Sequence, residues 1–465
     1  MNTLYRPEML YADGKFVAGD ELLVSPEGLV LDRGEDLDRA SVTVVEMPGK
    51  ALMPGFVNAH SHSFQRLIRG KAESRVVSGR DFWSWRGTMY YAASKLDPQQ
   101  VYDVARMAFL EMVLSGTTTV GEFHYLHNAP DGKPYDDPNL LGKQVIAAAE
   151  SVGIRIVLLR TAYVRAGFEL PPDPGQMRFY ESAKEFLENV EALADEVSGG
   201  RSQVHLGVAP HSIRAVPLGE LHEITAWARA NGMPIHMHIA EQVAENAACV
   251  REYGSTPVDL LAGEKILGQD FTAVHSVHVT REEIAMLARA GATICSCPTT
   301  ERNLGDGFVR ADEMLGAGIG IALGSDSQAQ IDPLEDAREL EYHLRLLQQK
   351  RAILDQVGGK TLPEYLFEFS TVNGARALGV ATGSFEAGRF ADFVTIDLED
   401  SSIAGNSVED LLSTVVFSMN RSAIRDVVVG GRFILRDQQH IRQEEIVAQY
   451  KELYEAVWGN ADRRS

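Results

Sequence analysis

Residues 51–62 read ALMPGFVNAHSH. The run ALMPGFVNA (51–59) is short and apolar, so it reads as a buried strand. It leads straight into His60-Ser61-His62. Residues two apart on an extended chain point the same way, so these two imidazoles share a face. Seven further segments have the same character: TTTVGEF (117–123), IRIVLLRT (154–161), VHLGVAP (204–210), PIHMHIA (234–240), TAVHSV (272–277), ATICSC (292–297) and IGIALGS (319–325). Between most of them lie helix-like stretches such as DVARMAFLEMVLSG, LGELHEITAWARANG and EEIAMLARAG. Each of these ends in Gly, a common helix stop. Strands alternating with helices imply a parallel sheet. Eight such units imply an α/β fold closed as a (β/α)8 TIM-like barrel.

The two ends break that rhythm. GKFVAGDELLVSPEG near the start reads as short strands and turns, and so do GSFEAGRFADFVTIDLED (383–400) and IRDVVVGGRFILRD (424–437). The expected organisation is therefore residues 1–52 as the N-terminal part of a small composite β-sandwich, 53–380 as the barrel, and 381–465 as the C-terminal part of the sandwich. Residues 440–458 read as a terminal helix. A chain of 465 residues accommodates one large barrel plus such a module.

Composition narrows the function classes. Apolar residues make up 45% and charged residues 23%, enough for a sizeable core. A formal charge of −21 is the opposite of a nucleic-acid binder's, so no nucleic-acid partner is expected. An anionic substrate would not be drawn in by that overall field, so local arginines must hold it. No apolar run spans a membrane and MNTLYRPEML is no export signal, which points to a cytoplasmic protein without a membrane partner. Only three cysteines occur, Cys249, Cys295 and Cys297, which fits a reducing compartment. Cys295 and Cys297 alternate onto one strand face. They read as a structural pair, because no second Cys/His pair stands at zinc-finger spacing.

Polar residues gather where the strands end, which in a barrel is the active-site face. After His60 and His62, the second strand leads to Glu122, His124 and Tyr125, and the fourth to His211 and Arg214. The fifth carries His236 and His238 and leads to Glu241. The sixth carries His275 and leads to His278, and the eighth ends in Asp326. Eight of the thirteen histidines fall in this set, which argues against random placement. Imidazoles on one face can share a divalent ion. His238 and Asp326, from two other strands, complete a ligand set of His60, His62, His238 and Asp326. His238 is preferred to His236 because it lies nearer the strand end and Glu241. His236, His124 and His278 read as structural, and His205 and His222 are unremarkable by position.

The strings PGFVNAHSH, HMHIAEQ, VHSVH and GSDS resemble the amidohydrolase superfamily in its single-metal deaminase branch, over essentially the whole chain. The resemblance implies one ion on the same four ligands. No lysine near the fourth strand matches the carboxylated bridging lysine of two-metal members. Zinc is the expected ion, although iron, manganese or nickel suit the same donors. HSHSFQR, FWSWR, EFHYLH, AGFE, GQMRF, PHSIRAV, HIAEQ and TTERNLGDG are similar to one family within that branch, the N-formimino-L-glutamate deiminases of histidine breakdown. That likeness implies hydrolysis of a formimino group, with a homodimer as the working unit.

The implied chemistry gives each residue a role. A bound cation lowers the pKa of its water toward 7 and so supplies hydroxide to attack the formimino carbon. Asp326 accepts the water proton, Glu241 shuttles protons to the nitrogen that leaves as ammonia, and His275 polarises the reacting centre. Arg86 and Arg214 match the two carboxylates of a small dicarboxylate substrate, with Gln65, Tyr125 and His211 as hydrogen-bonding partners. Taken alone, Arg86 could equally be exposed or stacked on Trp83 or Trp85. The rival readings are another deaminase of the branch, acting on a purine, pterin or other formimino or guanidino acid, and a barrel kept as a binding scaffold.

Overall fold

The computed structural model describes residues 1–38, 40–73, 81–198 and 203–459, with the backbone alone at 81–84. Eight strands pair in chain order: Phe56–Ser61, Thr117–His124, Arg155–Ala162, Val204–Pro210, Ile235–Ile239, Phe271–His275, Thr293–Ser296 and Ile321–Leu323. Neighbouring strands run parallel throughout. All but Val204–Pro210 are buried along their whole length, as expected of parallel strands covered on both faces. The helix-stop glycines behave as read: Gly116 (φ 85°), Gly232 (φ 64°) and Gly291 (φ 72°) are all left-handed.

The last strand meets the first through a bridge between Ser61 and Asp326. Asp326 N–H donates to the His60 carbonyl at 3.0 Å, and His62 N–H donates to the Asp326 carbonyl at 3.0 Å. Gly324 makes this seam possible, since a Cβ there would lie 2.7 Å from His60 Cβ. Closing the barrel therefore places His60, His62 and Asp326 side by side.

The run at 51–59 is not one strand. Ala51–Pro54 completes the long strand Val42–Pro54, which pairs with Phe393–Asp397 in the terminal sheet, and the barrel begins only at Phe56. Both pieces are buried and each opens on apolar residues, so the run reads as continuous. Gly55 makes the break, with Thr118 packed where its Cβ would be.

The chain ends build the expected composite module together, as one continuous mixed sheet. Its order is Arg432–Leu435, Ile424–Val429, Phe393–Asp397, Val42–Pro54, Asn2–Ala12, Glu21–Val24 and Val30–Gly34, with Lys15–Ala18 also pairing Asn2–Ala12. The sheet folds over its own core of Tyr5, Leu10, Leu22, Val30, Phe393 and Val428. Across the fold, Tyr5 O–H donates to the Gly431 carbonyl at 3.1 Å and Val30 N–H to the Arg389 carbonyl at 2.8 Å. A helix the sequence reading did not foresee, Val408–Phe417, buries Leu411, Leu412, Val415 and Val416. The terminal helix is Gln443–Trp458. Among the described residues, no helix is long and apolar enough to cross a membrane.

One ion pair pins the sheet to the barrel. Arg155, at the start of the third barrel strand, holds Asp392 through Nε at 2.8 Å and Nη2 at 2.9 Å. Both side chains are at most 1% exposed. The Thr382 hydroxyl and Gly430 N–H also donate to Asp392. Replacing Arg155 with Met would strand a buried carboxylate. The expected loss is about 3–5 kcal/mol of unfolding free energy, read from urea denaturation. A change below about 1 kcal/mol would mean the pair behaves as a surface one.

Candidate active site

The C-terminal ends of the strands carry several non-glycine residues in left-handed backbone: Ala240 (φ 51°), His275 (φ 69°), Ser276 (φ 54°) and Asp326 (φ 48°). Such strain gathers at functional sites, where surrounding structure over-determines it. The four expected ligands, His60, His62, His238 and Asp326, converge here with one donor atom from each lying within 4.8 Å of the others. All four are buried.

The donor set fits a cation. Ligand atoms about 2.0–2.2 Å from a tetrahedral ion lie roughly 3.4 Å from each other. His60 Nε2 is 3.2 Å from His238 Nε2 and 3.5 Å from Asp326 Oδ1, and His62 Nε2 is 3.2 Å from the same oxygen. His62 Nδ1 is 2.8 Å from the Phe123 carbonyl and His238 Nδ1 is 3.0 Å from the His211 carbonyl. A carbonyl only accepts, so each Nδ1 carries the proton and each Nε2 presents a bare lone pair inward. Burial drives His60 down to about 3 and His238 well below the ordinary imidazole range, which keeps both rings neutral.

A buried carboxylate beneath this group locks the first strand's end. Glu122 accepts from Ser61 O–H, Ser63 N–H and Ser63 O–H, each at 2.6 Å. The Gln328 side chain reaches Ser61 Oγ at 2.8 Å from the eighth-strand side.

The remaining expected residues line one pocket with His62, His238 and Asp326. Gln65, Arg86, Tyr125, His211, Arg214, Glu241 and His275 all face it, within about 550 Å³ of empty space. Gln65 donates to Tyr125 O–H at 2.7 Å. The His211 ring packs 4.6 Å from Tyr163 and 4.7 Å from His238. Its carbonyl also orients His238, a role invisible in a residue type. Arg86 donates to Tyr90 O–H and lies over that ring, with Trp85 also in the lining. The Trp83 side chain, considered as a stacking partner, lies outside the described residues.

Arg214 Nε is buried and finds no hydrogen-bond partner among the described residues. Burial disfavours its charge, but Tyr163, Glu245, Tyr90 and Glu241 outweigh this and hold the guanidinium above its ordinary range. A charged guanidinium that faces a cavity with its buried Nε unpaired among the described residues has the chemistry to bind an anion.

Glu241 follows the fifth strand, with Oε1 4.0 Å from His275 Nε2. Its N–H donates to Glu245 Oε2 at 3.1 Å. Burial pushes Glu245 up to about 7, with the pull of Arg214 and the repulsion of Glu241 opposing one another. Sequence reasoning passed over Glu245, although it stands four residues beyond Glu241, in the first turn of the helix Val243–Tyr253. It also passed over Gln176 of GQMRF, which donates to Tyr90 and Tyr163 at 2.7 and 2.9 Å and steadies the wall beside Arg86. Two of the histidines set aside are accounted for elsewhere. His236 meets the Ala377 carbonyl at 2.8 Å, and His124 packs against His127. Cys295 and Cys297 are fully buried in a small apolar cluster with Ala59, Val274 and Ala322.

A barrel whose strand ends focus three imidazoles and a carboxylate on one point, with Glu241 and His275 beside them, defines a class of hydrolase. The chain belongs to the Amidohydrolase family, whose pattern matches residues 51–434. It is 36% identical to the formimidoylglutamate deiminase of Pseudomonas aeruginosa, across 90% of this chain and 92% of that one. It is 25% identical to the 5-methylthioadenosine/S-adenosylhomocysteine deaminase of Pyrococcus abyssi, across 95% of each. Among solved structures, an amidohydrolase from Brucella melitensis matches with a TM-score of 0.89 at 30% identity, covering 98% of this chain and 99% of that one.

Proposed function

We propose that the protein hydrolyses N-formimino-L-glutamate to N-formyl-L-glutamate and ammonia, using one zinc ion on His60, His62, His238 and Asp326, as a step of histidine breakdown. The observation that carries this reading is the placement of Arg86 and Arg214 in the pocket that His62, His238 and Asp326 line. Two guanidiniums suit two carboxylates, and a neutral purine or pterin ring has no use for them. The 36% identical relative acts on the same compound by its name.

When bound, the cation makes hydroxide available near neutral pH. The chain's own residues do the rest. Arg86 and Arg214 hold the glutamate carboxylates, with Gln65, Tyr125 and His211 completing the cradle. Asp326 accepts the proton of the attacking water. His275 stabilises charge as the formimino carbon becomes tetrahedral. Glu241 then delivers a proton to the terminal nitrogen, the C–N bond breaks, and ammonia leaves as the formyl C=O forms.

The test is ammonia release by zinc-loaded protein from N-formimino-L-glutamate, guanine, adenosine and S-adenosylhomocysteine in parallel. Turnover of the first alone is expected, and a chelator should abolish it. Faster turnover of a purine compound would replace this reading with that of a nucleoside or base deaminase, in line with the 25% identical relative.

A further inference from the structure

Glu301 sits on the short helix Pro298–Leu304 and is 2% exposed. Its Oε1 lies 3.3 Å from His275 Nδ1 and accepts Cys297 N–H at 2.8 Å, while its Oε2 accepts Ser296 O–H at 2.9 Å. The opposite ring nitrogen, His275 Nε2, is buried without a hydrogen-bond partner among the described residues. It points between Glu241 Oε1 at 4.0 Å and Asp326 Oδ2 at 3.9 Å. When a carboxylate takes one nitrogen of a buried histidine, it fixes which nitrogen carries the proton and where the ring aims.

We propose that Glu301 is the positioning residue for His275: it accepts the hydrogen bond of Nδ1–H, keeps the proton on that nitrogen and so commits Nε2 to the reacting centre. The inference rests on the reading of His275 as the polarising group. Glu301 is itself held by two donors from the seventh strand and its end, so the ring's aim is set by the barrel wall. His275 and Ser276 are both left-handed, which turns the chain away from the strand ladder at this point. An anchor beyond backbone pairing therefore matters for the ring.

Cys297 Sγ lies close to His275 and Glu301, and the three could be taken for a second cation site. Two observations weigh against that. Burial holds the Cys297 thiol well above its usual range, so it is a poor thiolate. The Glu301 oxygens are already engaged by Ser296, Cys297 N–H and the imidazole.

Glu301→Gln keeps the shape and removes the charge. With zinc-loaded protein, kcat is expected to fall about 100-fold, while KM stays within about twofold and metal content is unchanged. Glu301→Asp should recover part of the loss. A readout independent of turnover is 15N-histidine NMR, with His275→Gln identifying the resonance. The wild type should show a protonated, strongly hydrogen-bonded Nδ1, and Glu301→Gln should move or erase that signal. The proposal is overturned by an unprotonated Nδ1 in the wild type, by wild-type kcat in Glu301→Gln, or by metal loss that matches the activity loss. If the wild type turns over nothing in the substrate panel, the proposed function fails, while the NMR signal still decides the role of Glu301.

Discussion

Glu241→Gln is expected to lower kcat by about 10²–10⁴-fold, the span of a lost general acid–base residue, with metal content equal to wild type. Both halves follow from placement. Glu241 stands just past the fifth strand, three residues beyond His238, and its carboxylate faces His275 instead of the ligand atoms. Its backbone is held by Glu245 and by the left-handed turn at Ala240, so the amide side chain should occupy the same place. Glutamine can still donate a hydrogen bond, but it cannot take a proton from water and return one to the departing nitrogen. Steady-state kinetics and metal analysis on the same preparation check both halves. Activity close to wild type would remove Glu241 from the mechanism, and loss of the metal would recast it as a support of the ligand set.

Arg214→Met should raise KM by about 10²–10³-fold with a much smaller change in kcat. A hydrogen bond to a charged group contributes about 1.5–3 kcal/mol, and a guanidinium clasping a carboxylate makes two. Each 1.4 kcal/mol is about tenfold in affinity, and some of the gain is lost to ordering the substrate. The structure supports a large effect because Arg214 Nε is buried and has nothing else to bind among the described residues. Methionine retains the apolar stem, so the pocket wall should survive. Substrate-saturation curves for the variant decide the matter. A KM within about twofold of wild type would show that the carboxylates are held elsewhere, and the dicarboxylate reading would go with them.

Much of this arrangement was legible in the residues. Period-two spacing gave His60 and His62 a common face, and the GSDS string put Asp326 at the end of the last strand, where barrel closure brings the three together. Arg86 and Arg214 emerged from the likeness of FWSWR and PHSIRAV to a family. The missed features share a physical cause, since each depends on an atom or neighbour that residue type does not announce. The His211 carbonyl orients His238, yet any residue has a carbonyl. Glu301 lies in a quoted string, TTERNLGDG, but its meaning depends on a ring 26 positions earlier. The split of residues 51–59 between two sheets escaped because Ala51–Pro54 and Phe56–Ser61 are equally buried, and only packing around Gly55 divides them.

The terminal sheet has a consequence for how the protein is made. The Val42–Pro54 strand takes its second partner from Phe393–Asp397, so that edge stays open until the ribosome has passed residue 393. At about 5–20 residues per second, the wait is roughly 20–70 s. Throughout it, an apolar edge continuous with the first barrel strand is exposed to other nascent chains. Pulse-labelled synthesis should show the N-terminal strands reaching protease resistance only after the C-terminal ones emerge, which makes synthesis of the stretch from Phe393 onward the step that commits the whole chain to its fold.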